Sequence, residues 1–447
     1  MSTEDQNTND GNLTGTKSTK KSKFTKIERS WIMYDWANSV YATVMMAVLC
    51  PIYFSSMVDA AGASQTGDYW WGIGTSVGMA IIAVLSPIVG AFADYMGFKK
   101  RIFLFFLLLG LVFTAVSAIT SSWVVLLIGY AISHIGFTGS NLMYDSFLPD
   151  VTPKNNMDKV SSYGYAMGYI GGSTIPFVVC IVLVMLSTMR PDILPENLAY
   201  QFSLGITVVW WGIFSLPFIR NVHQKYGLEK PEKGLVKETF KAVGRTAKKI
   251  FSEKSLLIFI LAYFFYIDGV GTVITMSTAY GSVLGLDVVM MIVALLVTQL
   301  VAVPCSIAFG TLSKRVGSLP LIFYAVGTYL VICVLGFVMG YGLEENYFGI
   351  PTAQMFFWVL AFLVGTVQGG IQAISRSYFI KLVPPENVGE FVGFFEIFGK
   401  FAAVMGPLIY AFTKGTTGRS SFSILSIIVL FLIALIILIA GRKHLVK

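Results

Sequence analysis

Long apolar runs alternate with short polar breaks along most of the chain, starting near residue 30. Apolar runs of about 18 or more residues predict helices that cross a hydrocarbon layer roughly 30 Å thick. Twelve such runs are present, six on each side of a polar stretch at 220–254. They lie at about 32–57, 69–92, 102–120, 123–148, 161–188, 199–219, 255–280, 288–312, 320–341, 352–380, 388–413 and 421–441. The pattern predicts an all-α polytopic membrane protein with two six-helix halves.

Composition supports this prediction, because 55% of the 447 residues are hydrophobic and only 13% are charged. That is too little charge to cover the surface of a soluble protein of this length. Residues 1–30 are rich in Ser, Thr, Asn and Lys and lack the apolar run of a signal peptide, so we predict a disordered cytosolic tail. The four cysteines lie inside apolar runs without a CxxC pair or a nearby histidine, so no metal site or cofactor is predicted.

The polar stretch at 220–254 holds ten Lys or Arg and four Glu. We interpret it as a basic cytosolic connector between an N-terminal half at 31–219 and a C-terminal half at 255–441, which is followed by a cytosolic tail at 442–447. Its lysines offer a surface for anionic lipid, although a solvated loop is the simpler interpretation.

Basic residues are strongly biased to one side of the predicted bundle. The N-terminal tail, every second loop after it and the C-terminal tail hold 27 of the 32 Lys and Arg. Because cytosolic loops carry the excess of Lys and Arg, this bias predicts that both termini and the connector are cytosolic. The same rule accounts for the net charge of +8, so nucleic-acid binding is not predicted.

Short motifs in the first half recur at corresponding places in the second half. Related halves are what a rocking transporter needs, with its substrate site at their interface. The corresponding motifs are Tyr34-Asp35 with Ile267-Asp268, Gly90 to Gly97 with Gly310 to Gly317, and Tyr144-Asp145-Ser146-Phe147 with Ser375-Arg376-Ser377-Tyr378.

The strongest local motif is Gly90-x3-Asp94-x2-Gly97-x-Lys99-x-Arg101. It resembles the loop between the second and third helices of the major facilitator superfamily. Glycines permit a tight turn and a close helix approach, and Asp94 can pair with a basic group or a helix N-terminus when the cytosolic side closes. The alternative is an ordinary basic loop with one compensating carboxylate. We predict that Asp94, Lys99 and Arg101 take part in gating.

Several longer blocks resemble a narrower family, which comprises the vacuole effluxers and their bacterial relatives. The vacuole effluxers are autophagy-associated amino-acid permeases of the fungal vacuole. The resemblance extends over roughly residues 30–440. It implies the major facilitator fold and, in the eukaryotic members, amino-acid export; it leaves the solute of bacterial members open. The blocks are Tyr34-Asp-Trp-Ala-Asn-Ser39, Gly168-Tyr-Ile-Gly-Gly172, Ala262-Tyr-Phe-Phe-Tyr-Ile-Asp-Gly269, Gln368-Gly-Gly-Ile-Gln-Ala-Ile-Ser-Arg-Ser377 and Glu390-Phe-Val-Gly393 before Gly406-Pro407.

Two ionisable residues lie at mid-depth of predicted spans, where a charge is costly and calls for a partner or a task. Asp268 is about thirteen residues, near 20 Å, into the seventh helix, and His134 is at a similar depth in the fourth. The first, fourth, seventh and tenth helices line the cavity in the resembled fold. We therefore predict substrate or proton contact for both, the alternative for His134 being a neutral histidine bonded to a carbonyl.

Four polar residues on the first and tenth helices are further candidates for substrate or proton binding. Gln368 and Gln372 are four residues apart and so share one helix face, while Asn38 and Tyr41 lie on the first helix. Amides of this kind could hold the polar end of an amino acid, or they could only link helices by hydrogen bonds.

Charges near the cytosolic ends of the spans suggest a gate. Asp35 lies one to two turns into the first helix, and Asp145 and Arg376 lie near the cytosolic ends of the fourth and tenth helices. The opposite charges of Asp145 and Arg376 at matching positions of the two halves predict that they interact across a cytosolic gate, the alternative being interfacial charges that reach water. Glu396 and Lys400 are four residues apart on the eleventh helix and are predicted to form a structural ion pair.

These observations predict a secondary active transporter that moves a small polar solute by alternating access, with amino-acid efflux implied by the family resemblance. A proton or another ion is a possible coupling partner, and a monomer would suffice. The alternatives are a proton-coupled carrier of sugars, nucleosides or drugs, and a non-transporting receptor on the same fold. An enzyme is not predicted, since the three histidines are scattered and no phosphate-binding loop is present. The host membrane would be the plasma membrane in a bacterium and the vacuolar membrane in a eukaryote.

Overall fold

The computed structural model describes residues 24–63, 66–173, 175–231 and 234–445. Within these residues the chain is helical and contains no β-strand. In these ranges, twelve helices are long and apolar enough to cross a membrane, which confirms the predicted all-α polytopic architecture.

The twelve spanning helices are numbered in chain order, and the additional helix between the two halves is called the connector helix. The first half contains α1 (Lys26–Tyr41, extended by a π-helical turn at Ala42–Ala47 and by Leu49–Ala60), α2 (Gly67–Ala93), α3 (Lys99–Ile119), α4 (Trp123–Ser146), α5 (Met157–Ser173 and Ile175–Met189) and α6 (Glu196–Asn221). The connector helix is Leu235–Ser252. The second half contains α7 (Lys254–Val283), α8 (Val288–Val316), α9 (Ser318–Glu344), α10 (Ile350–Leu382), α11 (Val388–Thr417) and α12 (Ser420–Leu445).

The first helix begins earlier than its apolar run. The Thr25 side chain accepts a hydrogen bond from the Glu28 backbone N–H (3.1 Å), and the Glu28 carboxylate accepts one from the Thr25 N–H (2.8 Å). This capping box satisfies two backbone donors at the helix start. Residues 26–30, which we assigned to the tail, are therefore helical, and the rest of the predicted tail, 1–23, lies outside the described residues.

One end of the bundle gathers the start of α1, the connector helix and the end of α12, and we call it the basic face; the opposite end is the far face. At the basic face Asn221 at the end of α6 donates to the Ser30 hydroxyl (3.0 Å), and the Tyr378 hydroxyl donates to the Leu445 carbonyl at the end of α12 (2.8 Å).

The two halves meet along α2 with α11 and α5 with α8. Glycines make both contacts close: a Cβ at Gly90 of α2 would overlap the Gly389 carbonyl, and one at Gly310 of α8 would overlap the Ser162 side chain of α5. Small residues let helix backbones approach in this way. Both contacts lie toward the basic face.

The connector is more structured than its charge suggested. Leu228 pairs with the loop after α2, since its N–H donates to the Asp94 carbonyl (2.7 Å) and its carbonyl accepts from the Met96 N–H (3.0 Å). The connector helix then covers about half of the stretch that we favoured as a solvated loop. Its apolar residues recur at the helical period, a pattern that the high lysine content obscured.

Candidate functional site

A cavity of about 410 Å³ lies between the two halves. It is lined by α1, α4 and α5 of the first half and by α7, α8, α10 and α11 of the second. The π-helical turn of α1 contributes Ala42 and Thr43 to its wall, an irregularity of the kind often found at functional sites. The charged and amide residues of the lining are Asp35, Asn38, Asn141, Asp145, Gln299, Gln368, Gln372, Arg376, Glu396 and Lys400.

Arg376 on α10 bridges the two halves at the basic end of this cavity. Its guanidinium donates to the Asp145 carboxylate on α4 at 2.8 Å and to the Asp35 carboxylate on α1 at 3.4 Å. The Arg376 side chain is only 6% exposed and each carboxylate 14%. The contact between Asp145 and Arg376 that we predicted is thus present, and its role in gating stays a prediction.

The Arg376 guanidinium is also held by neutral groups. Its Nε donates to the Ser161 hydroxyl of α5 (2.9 Å), and it lies 4.8, 5.4 and 4.6 Å from the ring centroids of Trp31, Tyr144 and Tyr165. A planar guanidinium can bind two carboxylates and stack on aromatic rings at once, whereas an ammonium cannot. The groups around residue 376 therefore require an arginine and would not be satisfied by a lysine.

Asp35 and Asp145 share this single arginine. The Tyr144 hydroxyl donates to the Asp35 carboxylate at 2.7 Å, a shorter contact than that of Asp35 with Arg376. Two carboxylates near one guanidinium leave one negative charge without a full cationic partner. Such a site favours a proton or a cationic group of a ligand.

Glu396 and Lys400 form the predicted ion pair, with 3.4 Å between Lys400 Nζ and Glu396 Oε2. We interpreted this pair as structural, but both side chains line the central cavity. They are 23% and 20% exposed, so a ligand in the cavity can reach them.

The predicted amides of α1 and α10 face the cavity. Asn38 donates to the Asn141 side chain of α4 at 2.6 Å, and the Gln372 side chain donates to the Gln368 carbonyl at 3.1 Å. Gln299 of α8 lies in the same wall and was not among our candidates. Asn141 was also missed, although it lies four residues before Asp145 on the helix, a spacing that would have identified it.

The structure places three predicted binding residues outside the cavity lining. Asp268 is fully buried; its Oδ1 accepts from the Gly406 N–H of α11 at 2.9 Å, and its Oδ2 has no hydrogen-bond partner among the described residues. His134 is buried beside the Tyr130 ring, and the Tyr41 hydroxyl bonds to the Ser133 hydroxyl at 2.6 Å. Depth along a helix sets a residue's height but not the face on which it lies.

Asp94 connects the halves at the basic face. Its two carboxylate oxygens accept from the backbone N–H groups of Gly389 (2.7 Å) and Glu390 (2.9 Å), at the start of α11. A carboxylate is stabilised at a helix N-terminus by the free N–H groups and the helix dipole. Burial raises the pKa of Asp94 to about 8, although Lys99 and these two N–H groups favour its ionised form.

The other charges of this motif are placed differently. Lys99 forms a fully buried ion pair with Asp150 at 2.9 Å, within the first half. Asp150 also accepts hydrogen bonds from the backbone of Lys225 (2.6 Å) and Tyr226 (2.9 Å), so Lys99 links the motif to the connector. Arg101 is exposed. Of the three predicted gating residues in the motif, only Asp94 contacts the opposite half in these bonds.

A second contact between the halves, around Asp158, was not predicted. Asp158 at the start of α5 binds the Lys381 ammonium (2.6 Å), the Ser377 hydroxyl (2.6 Å) and the Ser318 hydroxyl (2.8 Å). The internal repeat could have indicated this contact. Ser318 directly follows the Gly310 to Gly317 motif, which corresponds in the second half to the Gly90 to Gly97 motif that contains Asp94. Each motif thus meets a helix start of the other half.

The inter-half bonds of Asp94, Asp158, Ser161 and Arg376 all lie on the basic-face side of the cavity. Together with the close approach of Gly90 to Gly389, they hold the basic face closed in this conformation. In the alternating-access cycle that we predict, these contacts would break when the cavity opens toward this face.

Comparisons with known proteins agree with this architecture. The family model for "Vacuole effluxer Atg22 like" matches residues 72–442. The chain is 44% identical over 419 residues to the uncharacterized MFS-type transporter YxiO of Bacillus subtilis strain 168, covering 93% of this chain and 95% of that protein. It is 25% identical over 295 residues to Autophagy-related protein 22-2 of Aspergillus clavatus. That match covers 61% of this chain but only 46% of the fungal protein, so it spans about half of the relative's length.

Among solved structures, FucP, a major facilitator superfamily transporter in the outward conformation, superposes with a TM-score of 0.67 at 12% identity. The superposition covers 94% of this chain and 98% of FucP, and at this identity it shows the fold alone. The matched family and the close bacterial relative both confirm the predicted family. The chain belongs to the vacuole effluxer Atg22-like family and is an integral membrane transporter of the major facilitator type, not an enzyme.

Proposed function

We propose that this protein exports amino acids by alternating access of its two halves around the central cavity. The observation that carries the proposal is the presence of both signs of charge, separated along the lining: Asp35 and Asp145 around Arg376, and the looser pair of Glu396 with Lys400. An amino acid carries an ammonium and a carboxylate, and each group has a partner of opposite charge in this cavity.

The balance of charge supports a ligand with an ammonium group. When all are ionised, the three carboxylates of the lining face two cationic side chains, Arg376 and Lys400. An uncompensated negative charge is costly in a site surrounded by apolar helices. The substrate ammonium, or a proton in its absence, would neutralise it.

A second cavity favours substrates with an apolar side chain. It encloses about 100 Å³ within the second half, and it shares Ile274, Gln299 and Gln368 with the central cavity. Its wall is mostly apolar, with Ala361 on one side. Because most of this wall is apolar, a sugar or nucleoside would find partners there for only some of its hydroxyl groups, which is unfavourable.

The proposal predicts saturable counterflow of leucine in proteoliposomes that contain the purified protein. Sugars, nucleosides and cationic drugs are expected to neither exchange nor compete. Flux of one of those classes alone would contradict amino-acid transport, and no flux of any solute would favour a receptor.

Ala361→Phe, which fills the apolar cavity, should reduce leucine counterflow roughly tenfold while sparing alanine, because lost apolar contacts are worth about 1–3 kcal/mol. Ala361→Ser, which nearly keeps the volume, is the matched control.

We propose proton coupling as the energy source, with Asp268 as the proton site. A buried carboxyl in which one oxygen has no hydrogen-bond partner in the described part of the chain is costly as an anion and well suited to bind a proton in one conformation. The Asp268→Asn variant is expected to retain leucine counterflow but to lose the stimulation of net flux by an imposed pH gradient. A pH response equal to that of the unchanged protein would contradict this role.

We further propose that the basic face is cytosolic and that the protein resides in the bacterial plasma membrane. The bias of 27 among 32 Lys and Arg supports the orientation, and the extensive match to a Bacillus protein supports the membrane. In this orientation the described conformation is closed toward the cytosol, and a monomer contains the complete cavity.

A further inference from the structure

The connector helix carries an exposed apolar stripe. Val236, Phe240 and Phe251 are 59%, 54% and 64% exposed, and the half-buried Val243 and Ala247 lie between them. At about 100° per residue these five positions fall within an arc of roughly 80° on one side of the helix. Packing against the residues that the structure describes does not explain why three large apolar side chains are aligned on one exposed face.

Two other faces flank this stripe. The first contains Thr239, Ala242, Thr246 and Ile250, which are buried where the helix packs against α2, α7 and α11. The helix is therefore anchored to the bundle and holds the apolar stripe in a fixed direction.

The second flanking face is basic. Five Lys or Arg and a single Glu lie on the helix, and that Glu238 is paired with Lys241 at 2.6 Å. Lys249 lies 5.6 Å from the centroid of the Phe391 ring at the start of α11. The exposed basic residues are Lys237, Lys241, Arg245, Lys248 and Lys249.

The position of the helix relative to the membrane follows from the chain. Glu253 alone separates its last residue, Ser252, from α7, which begins at Lys254 and enters the membrane. The helix also packs against the basic-face ends of two other spanning helices. It is thus at the membrane boundary, where an apolar stripe beside a basic face is the pattern of a helix that lies in the plane of the interface.

We propose that the connector helix is an in-plane membrane helix that inserts Val236, Phe240 and Phe251 below the headgroups and binds anionic phospholipid with its basic face. Charge complementarity argues for anionic rather than zwitterionic lipid, because each Lys or Arg near an anionic surface is attracted to it. The exposed aromatic side chains argue against a helix that is only solvated.

The helix also lies beside the closed contact between the halves. Its neighbour Phe391 follows Glu390, whose N–H binds Asp94, and Leu228 of the connector bonds to the Asp94 carbonyl. Lipid bound to this helix is therefore adjacent to the contact that must break when the basic face opens.

Spin labels on the full-length protein test the proposal. A label would be placed at Phe240→Cys or at the neighbouring Lys241→Cys, in a Cys305→Ser background, because Cys305 is the half-buried one of the four cysteines while the others are buried. In bilayers of phosphatidylcholine with phosphatidylglycerol, we expect the label at 240 to be more accessible to oxygen than to a water-soluble nickel chelate. The label at 241 should show the reverse. High nickel accessibility at both positions would overturn the proposal, as would dipolar broadening between labels on two copies, which would indicate a protein partner.

Lipid composition and charge provide the second arm of the test. Immersion of the label at 240 should decrease in phosphatidylcholine alone and in the Lys241→Gln/Arg245→Gln variant. The control Arg442→Gln/Lys443→Gln removes two exposed charges of the same face from the end of α12 and should leave immersion unchanged. Equal immersion in both lipids, or equal losses in both double variants, would refute specific binding of anionic lipid by the connector helix.

Discussion

Arg376→Lys is expected to reduce leucine counterflow at least roughly a hundredfold, because the ammonium can pair with only one of the two carboxylates and leaves the other without its cation, and an uncompensated buried charge costs about 3–5 kcal/mol. Lysine has one ammonium group and cannot contact Asp35, Asp145 and Ser161 together with three aromatic rings. Counterflow measured in proteoliposomes with equal amounts of protein would check this expectation. Size-exclusion profiles and thermal unfolding of the detergent-solubilised variant would separate a transport defect from misfolding.

A double-mutant cycle tests whether the effect arises from the predicted pairing. Arg376→Gln alone leaves two buried carboxylates without their cation, whereas adding Asp145→Asn removes one of them. The combined variant should therefore be less impaired than the product of the two single effects, with a coupling of about 0.5–3 kcal/mol. Additive effects on both transport and thermal stability would exclude a direct functional contact between Asp145 and Arg376.

Gly90→Val is expected to lower transport roughly tenfold or more by destabilising the conformation that is closed at the basic face. A Cβ at this position would overlap the Gly389 backbone of the opposite half. Overpacking of a tight contact costs about 1–3 kcal/mol, and here the cost falls on one of two alternating conformations, so their populations shift.

The shift can be measured as a distance distribution between spin labels at Lys154→Cys and Glu386→Cys, two exposed positions on opposite halves of the basic face. Longer distances are expected in Gly90→Val. Gly72→Val on the same helix is the control, since a Cβ there has no atom of the described residues within 4 Å. Unchanged distances in Gly90→Val, or equal changes in the control, would show that the Gly90 contact does not set the conformational equilibrium.

The membrane-spanning architecture could be predicted because hydrophobicity is a local property of the chain. Each span needs only enough consecutive apolar residues, whatever its neighbours are. The capping box at Thr25 and Glu28 is equally local, and a search for it would have corrected the predicted start of α1. The amphipathic connector helix was also encoded in the spacing of its apolar residues, but the high charge of the stretch drew attention away from it.

A site residue could be predicted where a polar side chain lay on a helix that lines the cavity in the resembled fold. Asp35, Asp145, Arg376 and Gln372 are polar residues on helices that line the cavity of the resembled fold, and they do line it here. Asp268 shows the limit of this reasoning: it satisfies the same description, yet it lies about 120° around the axis of α7 from the cavity residue Ile274. Helix rotation depends on packing against neighbours that are distant in sequence.

The partners of the buried charged residues could not be predicted from the sequence either. Lys99 is near Asp94 in the motif, yet it pairs with Asp150, and Asp94 binds the start of α11 almost 300 residues away. Asp158 was overlooked because its partners Ser318 and Lys381 are on other helices.

By itself, the sequence determined which segments cross the membrane, how they divide into two related halves, which side collects the basic residues and to which family the chain belongs. These properties are sums over neighbouring residues or over matched blocks. Only the tertiary structure decided which polar residues meet in the cavity, which contacts close the basic face and which face of the connector helix stays uncovered. Each of these depends on the rotation and approach of helices, and long-range packing sets both.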